Sequence, residues 1–136
     1  MDGYSGTPLA RKLGIKEGHS IYLVNLPDHY FDLFTDFPSE VRFLKKPSEQ
    51  TADFIHLFCK SQECLEPETQ RLKSLLKKNG MLWVSWPKGT SKIETDLNRE
   101  IIRAYILTHV GLVDIKVAAV DADWSGLKFV YRTKDR

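Results

Sequence analysis

Three short, almost continuous apolar runs constrain this chain more than any other feature of its sequence. They occupy residues 21–26, 53–59 and 81–86, and a proline follows the first and the third. A strand with one solvent-exposed face alternates apolar and polar residues, whereas a continuous apolar run is typical of a strand buried on both faces of a parallel sheet. Helical or loop segments separate the runs, and this alternation predicts a parallel sheet covered by helices on both faces.

Residues that typically start and stop helices predict helices between the strands. A short helix ends at Gly14, and a longer one opens at Pro67 and ends at Gly80, because proline suits a first turn and glycine suits the position after the last. A third helix is predicted to start at Ser91, which has a capping-box glutamate three residues later, and to stop at Gly111. Aromatic residues at a helix-like spacing in residues 28–37 indicate one more helical segment.

Three more strands complete the predicted sheet. Residues 41–44 form a short second strand, and residues 113–120 and 127–131 form the last two. The short link over residues 121–126 makes the last two strands antiparallel. The sequence therefore predicts an α/β domain with six strands.

Length, charge and cysteine content exclude several classes of protein. The chain has 136 residues, the usual size of one domain, so a single domain over residues 1–136 is expected. Its 20 basic and 18 acidic residues give a net charge of +2, too balanced for a typical nucleic-acid binder. No stretch reaches the ~20 apolar residues that span a bilayer, and no signal peptide is recognised. Cys59 and Cys64 lack zinc or disulfide spacing, which predicts reduced thiols in a cytoplasmic protein.

The stretch 76–82, Leu-Lys-Lys-Asn-Gly-Met-Leu, follows an apolar strand and resembles the late part of a class I S-adenosylmethionine methyltransferase. Those enzymes have a similar lysine–glycine turn into their fifth strand and end with an antiparallel strand pair at one sheet edge. The resemblance implies a three-layer, Rossmann-like fold whose mostly parallel six-stranded sheet has the order 2-1-3-4-6-5. Compared with those enzymes, this chain would then lack one strand–helix unit between its own second and third strands.

Several segments together also resemble a small bacterial family known only as a domain of unknown function. They are residues 5–9, 12–16, 82–88, 95–97 and 124–130. This resemblance implies a bacterial protein but no activity, because the family has no agreed one.

The chain departs from the methyltransferase pattern at both main cofactor contacts. In those enzymes the first strand runs into a glycine-rich turn that lets the backbone approach the cofactor. Here the turn, residues 25–30, reads Asn-Leu-Pro-Asp-His-Tyr and contains no glycine. The acidic residue that holds the ribose should end the second strand, but Lys45 and Lys46 stand there and Glu49 lies beyond. We therefore expect no bound cofactor.

Candidate ligand contacts lie beyond the carboxyl ends of the strands, where an open α/β sheet binds its ligands. The candidates are Asn25, Pro27 and Asp28 after the first strand, Cys59, Lys60 and Ser61 after the third, and Trp86, Lys88 and Lys92 at the end of the fourth. Lysines beside a tryptophan and just before a helix could receive an anion, because free amides point out of a helix N-terminus. The competing interpretation is that Asn25 closes its strand, Trp86 packs under the loop and the lysines are solvated.

Trp124, in the last predicted turn, is the remaining candidate, either as a cover for the sheet edge or as an exposed contact for a partner. No catalytic residue and no metal site emerge, because the serines lack a hydrolase elbow and the histidines lack ligand spacing. His56, in the middle of an apolar strand, is expected to be a core histidine.

Two functional hypotheses remain. The first, which the missing cofactor contacts favour, is a non-catalytic binding or accessory module on a methyltransferase-like scaffold, acting through an aromatic surface. The second is a small-anion or nucleotide-like ligand-binding protein or enzyme that uses the crevice, with Asn25, Lys88 and Lys92 as contacts. A concave pocket would favour the second and a flat aromatic patch the first. The partner is a protein or a small anionic ligand, without nucleic acid or membrane, and the oligomeric state stays open.

Overall fold

The computed structural model describes residues 7–136. Its strands and helices alternate along most of the chain. In chain order they are α1 (Leu9–Leu13), β1 (Ser20–Val24), β2 (Arg42–Phe43), β3 (Ala52–Phe58), α2 (Gln62–Leu75), β4 (Leu76–Pro87), α3 (Arg99–Tyr105), β5 (Leu112–Ala119) and β6 (Trp124–Tyr131). A 3-10 turn at Tyr30–Leu33 follows β1, a π-helical turn at Ile106–Val110 extends α3, and a last 3-10 turn lies at Thr133–Asp135.

The six strands form one sheet in the order β2-β1-β3-β4-β6-β5. The pairs β1–β2, β1–β3 and β3–β4 are parallel, whereas β6 runs antiparallel to both β4 and β5. The predicted order 2-1-3-4-6-5 and the antiparallel strand pair at the end of the chain are therefore confirmed.

Each face of the sheet carries its own apolar core. On one face, Leu65 and Leu72 of α2 and Ile102 of α3 pack with strand residues such as Ile55 and Leu57. On the other face the cover is thin, because it consists of α1 and of the segment between β1 and β2 that contains Tyr30. The two clusters give the three-layer arrangement predicted from the buried strands.

The start of α2 differs from the prediction. The helix begins at Gln62, not at Pro67, because the Ser61 hydroxyl caps it by accepting a 3.1 Å hydrogen bond from the Cys64 N–H. Pro67 lies inside the helix. The helix also ends at Leu75, and Gly80 lies in β4, where a Cβ would stand 3.0 Å from the carbonyl oxygens of Ala52 and Asp53. Gly80 is therefore required by the close approach of β4 to β3 and does not stop a helix.

The start of α3 also differs. Asn98 caps it by accepting a hydrogen bond of 2.9 Å from the Ile101 N–H, whereas the Ser91 hydroxyl binds the N–H of Ile93 in the preceding loop. Tertiary contacts hold this loop out of the helix. The Thr95 hydroxyl donates to the Lys60 carbonyl at 2.6 Å, and a side-chain oxygen of Asp96 accepts from the first amide of α2 at 2.9 Å.

The segment between β1 and β2 holds less helix than its aromatic spacing predicts. A single 3-10 turn forms, because Tyr30 turns inward and is fully buried while its neighbour Phe31 stays half exposed. In the last hairpin, residues 124–126 are part of β6 and not of the turn, since Trp124 is already paired with Pro87 of β4. The predicted helix stops at Gly14 and Gly111 are confirmed, because both residues have the left-handed backbone expected there.

Candidate functional site

A crevice of about 610 Å³ opens at the carboxyl ends of β1 and β3, and the beginning of β6 closes its third side. This is the region where an open α/β sheet with reversing strand order binds its ligands. The crevice is lined by Asn25, Leu26, Pro27, Asp28, His29, Phe58, Cys59, Lys60, Ser61, Cys64, Ile93, Asp123 and Trp124.

The loop after β1 forms one wall of the crevice. Asn25 takes a left-handed backbone (φ 58°) and its side-chain amide donates to the sulfur of Cys64 at 3.6 Å. The Pro27 carbonyl accepts the N–H of Tyr30 at 3.0 Å, which starts the 3-10 turn. In a Rossmann-type site, a glycine turn followed by a long helix leaves free backbone amides at this place. Here the side chains of Leu26 and Pro27 stand there instead.

A polar contact joins this wall to the β5–β6 turn. The His29 Nε2 lies 2.8 Å from one carboxylate oxygen of Asp121. The other oxygen of Asp121 accepts the N–H groups of Asp123 and Trp124, each at 2.8 Å. Asp121 therefore holds both the turn that presents Trp124 and the loop opposite it, and we call this set of contacts the clasp.

Two thiols lie at the beginning of α2. Cys59 is buried and Cys64 is partly exposed, and neither forms a disulfide. Burial raises the pKa of the Cys59 thiol, and its hydrogen bond to Cys64 raises it further. A buried thiol held in its neutral form is a poor nucleophile.

Below the crevice, aromatic rings lead to a buried polar chain. Phe58 contacts Trp124 edge to face, with ring centroids 5.1 Å apart, and stacks on His56 at 4.3 Å. The ring nitrogens of His56 lie 3.0 Å from the Tyr30 hydroxyl and 2.8 Å from the Ser85 hydroxyl.

This chain of three side chains has no access to solvent, because Tyr30, His56 and Ser85 are each 0% exposed. Burial lowers the pKa of His56 to about 3, so the ring is neutral, and burial also raises the pKa of Tyr30. Since no substrate can reach these groups, they serve structure: they fasten the 3-10 turn to β3 and β4. His56 is thus a satisfied core histidine, as its position in an apolar run predicts.

The structure brings together some of the sequence-predicted contacts and separates others. Asn25, Asp28 and Trp124 all line the crevice. Trp86 does not, because its ring packs into the core on the α2 face with an exposed fraction of only 7%. Lys88 and Lys92 are not part of the lining either, and the Lys88 N–H donates to the Asp123 carbonyl at 2.8 Å.

Sequence reasoning missed His29, Phe58, Cys64 and Asp121 as parts of this site. The carboxyl-end rule placed Cys59, Lys60 and Ser61 there, and the same rule extended by one residue would have reached Phe58. No sequence signal pairs His29 with Asp121, because 92 positions separate them.

The charges of the crevice are mixed. The lining contains Asp28, Asp123 and Lys60, and His29 is engaged by Asp121. With two carboxylates against one lysine, the lining does not favour an anion.

An aromatic surface lies beside the outer strand β2. It consists of Phe31, Phe34, Phe37 and Phe43, whose rings form contacts with centroids 4.9–5.8 Å apart. Phe31 and Phe43 are each 49% exposed. The protein therefore has both features that the two hypotheses required, a concave pocket and an exposed aromatic patch.

Within residues 7–136, no three His, Cys, Asp or Glu side chains gather into a set that could ligate a metal. Over the same residues, no helix has the length and apolar character needed to cross a membrane.

No family model and no curated protein sequence matches this chain. Among solved structures, a SAM-dependent methyltransferase from Aquifex aeolicus is similar at 17% identity and TM-score 0.60, covering 88% of this chain and 86% of the other. A TehB-like SAM-dependent methyltransferase from Corynebacterium glutamicum has 15% identity and TM-score 0.57, covering 96% and 90%. A putative type 11 methyltransferase from Sulfolobus solfataricus also has 15% identity and TM-score 0.57, covering 92% and 90%.

These similarities define the fold of this chain as the class I methyltransferase fold. At such low identity they establish the fold alone, because one fold hosts many functions.

Proposed function

We propose that this protein is a non-catalytic binding module on the class I methyltransferase fold, which holds a small ligand in the crevice and does not transfer methyl groups. The observation that carries this proposal is the loop after β1. It presents Leu26 and Pro27 to the crevice, and a single 3-10 turn follows where a Rossmann-type site has free helix amides.

The residues present do not fit S-adenosylmethionine. The position that should carry a ribose-binding carboxylate follows β2, where Lys45 and Lys46 stand. The glycine turn that would admit the cofactor is replaced by a proline-containing loop, which the contact between His29 and Asp121 fixes further.

The ligand class follows from the lining. Phe58 and Trp124 are the aromatic residues of the lining, and Asp28 and Asp123 outnumber Lys60. A small, partly apolar ligand that is neutral or positively charged suits such a surface, and the volume of about 610 Å³ is within the usual range of ligand pockets. The earlier alternative, an anion held by Asn25, Lys88 and Lys92, loses support because both lysines lie outside the lining.

Other parts of the proposal come from the sequence. It treats residues 1–136 as one Rossmann-like domain of a cytoplasmic bacterial protein, related to the small family of unknown function described above. It includes no cofactor and no metal, and it leaves the oligomeric state open.

Calorimetry with S-adenosylmethionine and S-adenosylhomocysteine tests the non-catalytic part. We expect no saturable heat and no thermal stabilisation at millimolar ligand, because the loop after β1 occupies the cofactor position. Saturable binding at micromolar affinity would overturn the proposal, and a methylated product in an assay with the cofactor would do so independently.

NMR titration with fragments of different charge tests the ligand class. Neutral and cationic fragments should shift resonances of residues 25–29 and 59–64, whereas anionic fragments of equal size should not. In an Asp28→Asn, Asp123→Asn variant the affinity for cationic fragments should fall about threefold to tenfold. Asp32→Asn, Asp135→Asn is the matched control, since both residues are exposed and outside the crevice lining. Equal responses to anionic and cationic fragments would contradict the assignment.

A further inference from the structure

A second recess, of about 430 Å³, lies between α1 and β5, away from the crevice. It is lined by Thr7, Arg11, Lys12, Lys116, Val117 and Ala118. The Lys116 ammonium reaches across it and donates to the Lys12 carbonyl at 2.8 Å. We call this recess the lysine groove, and we include in it the surrounding cations Lys16, Lys88 and Lys128.

The sheet register brings two of these lysines side by side. Lys116 of β5 and Lys128 of β6 are direct partners in the antiparallel pair. Like charges at directly opposite positions destabilise a sheet, so the arrangement is unfavourable on its own. Lys128 also approaches α1, because its ammonium would be 3.7 Å from a Cβ placed on Gly14.

The cations of the groove repel one another. Burial lowers the pKa of Lys12, and the charges of Lys116 and Lys88 lower it further. The pKa of Lys128 is likewise lowered by burial first and then by Lys116 and Lys16. The groove thus concentrates positive charge around Lys116.

No carboxylate compensates this charge within the described residues. The ion pairs recorded over residues 7–136 involve His29, Arg71, Lys77 and Arg103 and none of the groove cations. The carboxylate of Asp36 does lie against α1, but its two oxygens accept the backbone N–H groups of Ala10 and Arg11, each at 3.1 Å.

We propose that the lysine groove binds an oligophosphate chain, either inorganic or as the phosphate tail of a nucleotide. Several cations gathered around one recess require a ligand with several negative charges in a short length, and successive phosphates provide them. Nucleic acid is disfavoured by the balanced charge of the whole chain, 20 basic against 18 acidic residues. The charge of Lys88, which the sequence assigned to an anion in the crevice, instead acts on Lys12 of this groove.

Calorimetry of the full chain with sodium tripolyphosphate tests this proposal, with sodium sulfate at equal ionic strength as the reference. We expect saturable binding of tripolyphosphate and a rise in the melting temperature, with at least about tenfold weaker binding of orthophosphate. A parallel titration with ATP distinguishes the two sources: equal affinity indicates recognition of the chain alone, and tighter binding indicates a nucleotide.

A Lys116→Gln, Lys128→Gln variant should weaken tripolyphosphate binding at least about tenfold. The matched control is Lys45→Gln, Lys46→Gln, which removes the same charge from exposed positions after β2 and should bind as the unmodified chain does. Circular dichroism and melting of the free variants separate binding from folding. Lys128→Gln alone relieves the repulsion between Lys128 and Lys116. The melting temperature of this variant should therefore be no lower than that of the unmodified chain, although the variant should still bind tripolyphosphate less tightly.

Three results would overturn the proposal. One is equal tripolyphosphate affinity in the groove variant and in the control. Another is equal affinity for orthophosphate and tripolyphosphate, which indicates unspecific screening. The third is displacement of tripolyphosphate by a single-stranded RNA at lower concentration than by ATP, which assigns the groove to nucleic acid.

Discussion

At the scale of single residues, His56 shows how burial controls the chemistry of a side chain. Both ring nitrogens have hydroxyl partners, and the strand that carries His56, β3, lies between β1 and β4 in the middle of the sheet. Its pKa is lowered from 6.5 to about 3, because a charged imidazole would lose its hydration there. Its neutral form is therefore part of the native state.

The pH dependence of stability follows from this shift. Between pH 6.5 and about 3 the unfolded chain binds a proton at His56 that the native chain does not bind. The stabilisation is complete above pH 6.5 and declines as the pH falls through this window. Relative to His56→Gln, the free energy of unfolding should decline by roughly 1 kcal/mol per pH unit in the window, as measured by urea denaturation.

His109→Gln provides the control for this measurement, because His109 is exposed in the π-helical turn. It shows how far the loss of a histidine side chain at the surface changes the measurement. The same pH dependence in His56→Gln and the unmodified chain would show that His56 is accessible to protons in the native state.

At the scale of elements, the caps decide where the helices begin. Ser61 and Asn98 each accept a backbone N–H three residues later, whereas Ser91 binds only the amide two residues later in a loop. Each real cap satisfies an amide that would otherwise lack a partner.

Replacing the caps by alanine should therefore have unequal effects. Ser61→Ala and Asn98→Ala should each lower the free energy of unfolding by about 1 kcal/mol, and Ser91→Ala by less than about half of that. Denaturant titration at neutral pH measures all three. If Ser91→Ala cost as much as Asn98→Ala, the helix would extend back to Ser91 in solution.

At the scale of the whole molecule, the clasp connects parts of the chain that the sheet alone does not join. His29 belongs to the loop after β1, and Asp121 belongs to the β5–β6 turn at the other side of the crevice. The side chain of His29 is 47% exposed and that of Asp121 only 12%, so the contact forms at the rim of the crevice.

His29→Ala should loosen the crevice without unfolding the protein. An exposed contact of this kind contributes no more than about 1 kcal/mol, so the melting temperature should change little. Hydrogen exchange measured by mass spectrometry should instead become faster in residues 25–33 and 120–125, with no change in α2. His109→Ala is the control for loss of an exposed ring, and equal acceleration throughout the chain would contradict the local role of the clasp.

The sequence by itself determined the strands, and their order followed from the resemblance to the class I methyltransferases. Three apolar runs can remove their side chains from water only in strands buried on both faces of a sheet; they are residues 21–26, 53–59 and 81–86. Short connections between these strands then leave few possible sheet topologies. Gly14 and Gly111 ended their helices as predicted, because left-handed backbone is a local requirement.

The tertiary structure decided the helix starts and the grouping of polar residues. Ser91 lost its role as a cap because Thr95 and Asp96 bind the beginning of α2, a contact that no local pattern contains. Lys12 and Lys116 meet across 104 positions, and His29 and Asp121 across 92. The tendency of a residue to be buried depends on its own side chain and can be read from the sequence. The proximity of charged residues, by contrast, arises only when the sheet register and the packing of α1 bring distant segments together.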